Sequence, residues 1–326
     1  MTRELLQVHN LRVGYKVFDG MLQVLDGIDI TLCGSERIGL VGETGCGKTT
    51  TAKTVAGVLS IPPASILAGD VYCGGSLLVK GGFSRFKRDF ARRVSMIYQD
   101  PTAALNPVFT VGAQLMDAIK HSTFGGQLSA GAIRQRALKA FEDVALPDPE
   151  RILKSYPVQL SGGMRQRVCI AMALAVDSEI LIADEPTTSL DVTIQDQVLR
   201  LLGQLVEDRE TATILISHSL GLVRTWTEHV YVMYGGTLME AARTQSLFEN
   251  PKHPYTQGLI AAIPKLTGGG ISRGIPGRIP DYLNPPKGCR FSPRCPNAMP
   301  VCDSERPAPI DVEPDHWVKC HLYQEG

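Results

Sequence analysis

Gly42-Glu43-Thr44-Gly45-Cys46-Gly47-Lys48-Thr49 lies between two stretches of opposite character. Ile38-Gly39-Leu40-Val41 before it is a short apolar run that reads as a buried strand, and Thr50-Thr51-Ala52-Lys53-Thr54-Val55-Ala56-Gly57-Val58-Leu59 after it reads as a helix. Strand, glycine-rich loop and helix is the context in which G-x-x-x-x-G-K-[ST] cradles a polyphosphate. Glycines let backbone N–H groups curl around phosphate oxygens where a Cβ would intrude. The helix adds its positive end and unpaired N–H donors. Lys48 is expected to reach the β- and γ-phosphates, and the Thr49 hydroxyl to bind Mg²⁺.

The bulk of the chain is that of an ordinary soluble globular protein. Its 326 residues suggest roughly two domains. Apolar content is 44%, and lysine plus arginine balance aspartate plus glutamate, so the formal net charge is zero. Composition therefore offers no electrostatic case for nucleic acid as the main partner. The N-terminal residues carry no secretory-signal pattern, and no run of about 18 apolar residues exists to span a bilayer. The chain is expected to be cytosolic or attached to something that is itself in the membrane.

Upstream of the loop, Leu11, Val13, Val24, Leu25, Ile28, Ile30 and Leu32 have strand-like spacing, and Gly14, Gly20 and Gly27 read as turns. Tyr15 falls here, either packed on a sheet or, beside a nucleotide loop, stacked on adenine. Residues 59–80 read as a turn and further strands. Arg85–Arg93 is a basic amphipathic run that reads as a solvated face rather than a nucleic-acid patch. Val94–Tyr98 is strand-like and stops at Gln99-Asp100-Pro101. Helical spacing then takes over in Val108, Val111, Leu115 and Ile119. It continues in Ile133, Ala137, Phe141 and Val144 behind a Ser129 cap, with Pro147 and Pro149 as the stop.

Leu160–Arg167 opens another helix through Ala175, and Ile180–Ala183 is a buried strand ending in Asp184-Glu185. Two carboxylates at a strand tip are what a phosphate-loop enzyme needs: Asp184 for the Mg²⁺ shell, Glu185 to orient and polarise the attacking water. A helix over roughly 193–209 and the strand Thr213–Ile216 follow, with His218 placed to contact the γ-phosphate. Gly235-Gly236 reads as a hairpin turn. Beyond about 250 the composition changes: ten of the 21 prolines lie from Pro276 onward, excluding long regular elements there, and Gly268–Gly270 reads as a flexible break. Four of the eight cysteines, Cys289, Cys295, Cys302 and Cys320, fall in this segment. In a reducing compartment such a cluster reads as a metal staple for a segment with little core. It holds no C-x-x-C pair, so the usual zinc-ribbon spacing is missing, while zinc and iron–sulfur both stay open.

Taken together, these motifs resemble those of the ATP-binding subunits of ABC transporters, over nearly the whole chain. Gly42–Thr49 resembles Walker A and Ile180–Asp184 Walker B. Gln99 matches the Q-loop glutamine, Ser161-Gly162-Gly163 the signature, Ser189-Leu190-Asp191 the D-loop, and His218 the switch histidine. Ile97–Pro101 with Leu105-Asn106-Pro107, together with His253–Leu259 and Ile263-Pro264, resembles the oligopeptide, dipeptide and nickel importer branch. Two small departures are Ser219, where Asp is usual, and Cys46, which replaces a common Ser.

The resemblance implies an α/β fold: a P-loop NTPase (RecA-like) core with an antiparallel β subdomain in residues 1–100 and 161–250. It further implies a helical subdomain, 101–160, contacting membrane subunits, and a Cys-rich C-terminal extension, 251–326. It implies ATP held by Tyr15, Gly42, Glu43, Thr44, Gly45, Cys46, Gly47, Lys48, Thr49, Thr50, Gln99, Ser161, Gly162, Gly163 and Asp184. Mg²⁺ would sit on Thr49, Gln99 and Asp184, with catalysis by Glu185, His218, Gln99 and Lys48. Cys289, Cys295, Cys302 and Cys320 would hold a [4Fe-4S] cluster. The implied partners are a second ABC ATPase, usually a different one, two membrane permease subunits and, indirectly, an extracytoplasmic binding protein, with no nucleic acid. The implied place is peripheral, on the cytoplasmic face of the cell membrane. Peptide import is the expected role. Nickel or metallophore import is the alternative, and a non-transport ABC ATPase on nucleic acid or ribosomes a remote one. Two further expectations concern cysteines. The Cys46 thiol, beside Lys48 and a helix N-terminus, is expected to favour the thiolate. The four-cysteine site, far in sequence from every nucleotide motif, is expected to have a structural or docking role, and replacing any one of its cysteines by serine to leave Walker A binding intact.

Overall fold

The computed structural model describes residues 3–82, 93–122, 128–187, 192–263 and 274–324. Ser189-Leu190-Asp191, the basic run before Arg93 and Gly268–Gly270 lie outside these residues. In chain order the elements are β1 (Glu4–Val17), β2 (Gly20–Cys33), β3 (Arg37–Val41), α1 (Lys48–Val55), β4 (Ala64–Cys73), β5 (Ser76–Lys80) and β6 (Val94–Ile97). Next come α2 (Pro101–Ala104), α3 (Val111–Ser122), α4 (Ala130–Asp143), α5 (Pro149–Lys154), α6 (Gly162–Ala175), β7 (Ile180–Asp184), α7 (Val192–Asp208) and β8 (Ala212–Ile216). The rest are α8 (Leu220–Trp226), β9 (His229–Tyr234), β10 (Thr237–Arg243), α9 (Thr244–Glu249), α10 (Pro254–Ala261), α11 (Val301–Ser304), β11 (Ile310–Glu313) and β12 (His316–Val318). They form two compact units, residues 1–86 with 215–326, and residues 87–214.

The first unit holds two sheets. One is antiparallel, in the order β2-β1-β4-β5. Alternation along β1 and β2 buries Leu6, Val8, Leu11, Val13, Leu25, Ile28, Ile30 and Leu32, the period expected of a sheet with one face in a core. Gly14 and Gly27 lie inside these strands, not at turns, and the β1 register shifts on both sides of Leu11 and between Val13 and Gly14. A Cβ on Gly14 would stand 2.7 Å from Met21 Sδ, so the glycine marks close packing.

In the other sheet β3 runs parallel to β9, pairing Ile38 with His229 and Val41 with Val232. β9 turns back through Gly235-Gly236 into β10. β10 then pairs with β12, and β12 with β11, all antiparallel. The proline-rich C-terminal segment thus extends the sheet that begins at β3.

In the second unit β6 and β7 are parallel neighbours, Val94 facing Ile180 and Ile97 facing Ala183. All five residues of β7 are buried. Val111, Leu115 and Ile119 of α3, Ala137 and Phe141 of α4, and Val168 and Ile170 of α6 form an apolar helical core. Ser129 caps α4 by accepting from the Ala132 N–H. Val108 precedes α3 and is 70% exposed, and Pro149 opens α5 instead of closing α4.

Candidate functional site

The chain leaves β3 at Val41, and Gly42 takes φ +152°. A Cβ there would stand 2.0 Å from the Met233 carbonyl oxygen on β9. Gly47, at φ +108°, precedes α1, and its Cβ would lie 2.8 Å from Leu25 Cδ2. The loop is sewn to the sheet by the Gly236 N–H, which donates to the Cys46 carbonyl at 2.9 Å. Lys48 is 6% exposed, its ammonium donating to the Gly42 carbonyl at 2.8 Å and the Glu43 carbonyl at 3.0 Å. A buried ammonium inside a ring of backbone is a positive centre with little water to screen it. Thr49 and Thr50 are half-buried on the first turn of α1.

Cys46 is fully buried, and burial pushes its thiol up despite the adjacent Lys48. That corrects the expectation of an activated thiolate: desolvation outweighs the nearby charge.

The loop is also held from the C-terminal segment. The Glu43 N–H donates to Tyr255 Oη at 2.9 Å, and the Tyr282 hydroxyl donates to the Gly45 carbonyl at 2.7 Å. The Glu43 carboxylate takes a two-pronged ion pair from Arg294, Nη1 to Oε2 at 2.6 Å and Nη2 to Oε1 at 3.0 Å. Arg294 Nε and Nη2 reach the carbonyls of Pro276 and Ile275, and Nη1 also reaches Tyr234 Oη. All five donors of the guanidinium are thereby used. The hydrogen bond to Glu43 holds the guanidinium above its usual range.

The His-Pro-Tyr stretch has a structural role here. His253 Nδ1 accepts from the Tyr255 N–H and caps α10, aiming Tyr255 at the loop. Tyr234, Tyr255 and Phe291 pack edge to face or tilted, with ring centroids 4.7–5.3 Å apart. The second glycine of the hairpin, Gly236, approaches the Val24 carbonyl so closely that a Cβ would stand 2.1 Å from it.

In the second unit, Asp184 ends β7 at 2% exposure and Glu185 follows at φ +47°. Gln99, just past β6, donates from Nε2 to Glu185 Oε2 at 2.7 Å. Ser161 caps α6 by accepting from the Met164 N–H, and a Cβ on Gly162 would meet nothing within 4 Å. Gln166 of α6 donates to the Pro186 carbonyl, tying α6 to the turn after Glu185. In the first unit His218 is exposed beyond β8, and the Ser219 N–H caps back onto Ser217 Oγ. Tyr15 is half-buried on β1, opposite Leu22 and Ala64.

Cys289, Cys302 and Cys320 are buried and Cys295 half-buried, and none forms a disulfide. The Cys289 N–H donates to the Cys302 carbonyl at 2.8 Å. Burial pushes the Cys289 thiol up to about 11, with further upward pressure from Cys302, Cys320 and Cys295, so the four lie within electrostatic reach of one another. Among the described residues, no group of three or more His, Cys, Asp or Glu is arranged to hold a metal ion. Distance in sequence does not separate this module from the loop: Arg294, between Cys289 and Cys295, pairs with Glu43 inside it.

Residues 25–188 match the ABC transporter family, and residues 239–302 match the oligopeptide/dipeptide transporter C-terminal region. The chain is 40% identical to the dipeptide transport ATP-binding protein DppD of Bacillus subtilis (strain 168), over 99% of this chain and 96% of the relative. It is 38% identical to the oligopeptide transport ATP-binding protein OppD of the same strain, over 98% of this chain and 88% of the relative. Among solved structures it resembles a dimeric, post-hydrolysis state of the ATP-binding cassette MJ0796 bound to ADP and Pi, with a TM-score of 0.63 and 23% identity. That match covers 74% of this chain and 99% of the other, and it shows the P-loop ATPase fold. The phosphate loop, the family matches and relatives aligned along almost the whole chain lead to one assignment: this chain belongs to the ATP-binding proteins of the ABC transporters, in their oligopeptide and dipeptide branch.

Proposed function

We propose that this chain binds and hydrolyses Mg-ATP to drive peptide import. The observation that carries the ATPase reading is the buried Lys48 ammonium enclosed by the Gly42–Thr49 loop. The match of the C-terminal region and the printed roles of the relatives support peptide as cargo.

The phosphates would lie against the N–H groups of the loop and the Lys48 ammonium, with adenine on Tyr15. The Glu43 N–H already has Tyr255 as its acceptor and the Cys46 N–H donates to the Glu43 carbonyl, so the remaining loop N–H groups and the start of α1 would take phosphate. Thr49, Gln99 and Asp184 present oxygen donors, the kind Mg²⁺ takes, and the ion would neutralise phosphate charge. Glu185 accepts from Gln99 on one oxygen. Its carboxylate would take the proton of the attacking water, and His218 would contact the γ-phosphate.

Ser161, Gly162 and Gly163 would face the ATP of a second ABC ATPase, of a different kind in the usual arrangement. The open space around Gly162 supports close approach by another chain. Residues 1–100 and 161–250 would act as the ATPase core, 101–160 as the helical part contacting two permease subunits, and 251–326 as the extension. No described helix is long and apolar enough to cross a membrane; the chain would act as a peripheral subunit on the cytoplasmic face. An extracytoplasmic binding protein would deliver the cargo.

Cys289, Cys295, Cys302 and Cys320 would hold a [4Fe-4S] cluster, supplying four covalent ties to a proline-rich segment. Their burial, their mutual electrostatic reach and the absence of disulfides among them support this donor set. The test of function is transport by the co-purified complex in liposomes. ATP-dependent uptake of labelled di- or oligopeptide, lost on Lys48→Ala, is expected. Uptake of nickel without peptide would move the cargo to the metal branch, and ATPase activity with no uptake of either would leave only the hydrolytic half.

A further inference from the structure

We propose that the C-terminal extension braces the phosphate loop of its own chain, with Arg294 and Tyr282 as positioning residues, so that nucleotide affinity and the state of the four-cysteine module are coupled. The inference rests on the ATP-binding reading of the loop and deepens it.

The contacts are specific. Arg294 lies beside Cys295, and its side chain is 4% exposed. Its two prongs neutralise the Glu43 carboxylate, which sits on the very loop that would curl around a polyphosphate. A carboxylate left unpaired there would repel phosphate in a poorly screened setting. Tyr282 fixes the other side of the turn by donating to Gly45, and its own carbonyl takes the Gln23 N–H at 2.8 Å, anchoring it to β2. Phe291, two residues after Cys289, packs on Tyr255, whose hydroxyl accepts from the Glu43 N–H. Three independent threads therefore run from the cysteine-bearing segment to Glu43 and Gly45. A loop fixed in advance loses less freedom on binding, which raises affinity. Coupling is also reciprocal: if an ordered module favours the nucleotide, the nucleotide must protect the module equally.

The experiment measures Mg-ATP affinity in the purified full-length chain with its partner ATPase carrying a Walker A lysine substitution, so that one site is read. Arg294→Gln is expected to weaken binding about 5- to 30-fold, within the usual range of site-to-site coupling. Arg294→Lys should fall between, since an ammonium cannot form both prongs. Adding Glu43→Gln to Arg294→Gln should restore much of the loss, which a merely structural role would not do. Should Arg294→Gln fail to fold, Tyr282→Phe, which removes one hydroxyl, decides the matter with an expected loss of about 3- to 10-fold. In the reverse direction, saturating Mg-ATP should slow the reaction of the module's thiols with a chromogenic disulfide in metal-free protein. Affinities within twofold of the native value in the folded variants, or thiol reactivity indifferent to Mg-ATP, would overturn the brace. Native protein that binds no Mg-ATP would instead overturn the function on which the inference rests.

Discussion

Gln99 Nε2 donates to Glu185 Oε2 at 2.7 Å, joining the residue after β6 to the residue after β7. The parallel pairing of these strands puts both side chains at the same end of the ladder. Glu185 is held in a left-handed conformation, φ +47°, that aims its carboxylate out of the strand direction. A glutamine at 185 would keep the shape and lose the carboxylate proposed as the base. Glu185→Gln is expected to retain Mg-ATP binding and slow hydrolysis at this site by about 10²- to 10⁴-fold. Single-site turnover in the complex is the proper measurement, because the partner's site can mask the loss; a native rate there would exclude Glu185 as the base.

Lys48→Ala removes the buried positive charge of the loop and leaves the Gly42 and Glu43 carbonyls without that donor. Nucleotide affinity should fall steeply, and thermal stability should drop modestly, by about 1–3 kcal/mol for groups left unsatisfied. Calorimetry with Mg-ATP and melting curves separate the two effects. Unchanged affinity would contradict the cradle.

Cys46 offers a contrast. With no exposure and a thiol pushed up by burial, it should react with maleimide far more slowly than a free surface cysteine, and promptly once the chain is unfolded in urea. Peptide mapping after timed labelling is the check; rapid native labelling would mean that the loop opens.

The loop, the Asp184-Glu185 tip and the signature helix could be read in the sequence because each is local: a strand, a turn and a helix start within a dozen residues. The grip on the loop could not, since Tyr255 and Glu43 are 212 positions apart and Arg294 and Glu43 251. Their meeting depends on how the segment between β10 and β12 is carried back to the loop by strands that join the sheet of β3 through β9. Gly14 and Gly27 misled as turn markers because strands also use glycine, Gly14 for close packing and Gly27 for a φ of +74°. Proline content concealed β11 and β12, which at four and three residues are too short for periodicity to register. His253, noted in sequence only as the start of the importer-type stretch, proved to be the cap that orients Tyr255.

That cap makes stability depend on pH. Burial lowers His253 from the ordinary histidine value to about 4, so it is neutral in the native state. The unfolded chain takes up this proton below about 6.5, whereas the folded chain resists until about 4. The unfolded state thus binds more protons in that window, and stability falls as pH drops through it, by up to about 1.4 kcal/mol per pH unit from this group. Protonation also turns Nδ1 from acceptor to donor, which removes the cap on α10. Melting temperature should decline between pH 6.5 and 4.5, and His253→Asn, which can still cap, should flatten that slope. Equal slopes in both proteins would assign the acid sensitivity elsewhere.

The cysteine module gives the last prediction. Burial holds the Cys289 thiol protonated, and the neighbouring Cys302, Cys320 and Cys295 add to that, so thiolates side by side are disfavoured here. A cationic centre bound to them reverses that balance and releases protons on binding. Protein purified without oxygen is expected to carry about four irons and four sulfides per chain, with broad visible absorbance. Replacing Cys289, Cys302 or Cys320 by serine should lose that absorbance and lower the melting temperature. Because Arg294 and Phe291 lie inside the same segment, each replacement should also weaken Mg-ATP binding, in contrast to an isolated appendage, whose loss would leave the loop unchanged. Metal analysis and nucleotide titration on the same preparations test both halves. One zinc and no iron in anaerobic protein would replace the cluster with a structural zinc site, while iron loss without any change in nucleotide affinity would detach the module from the loop.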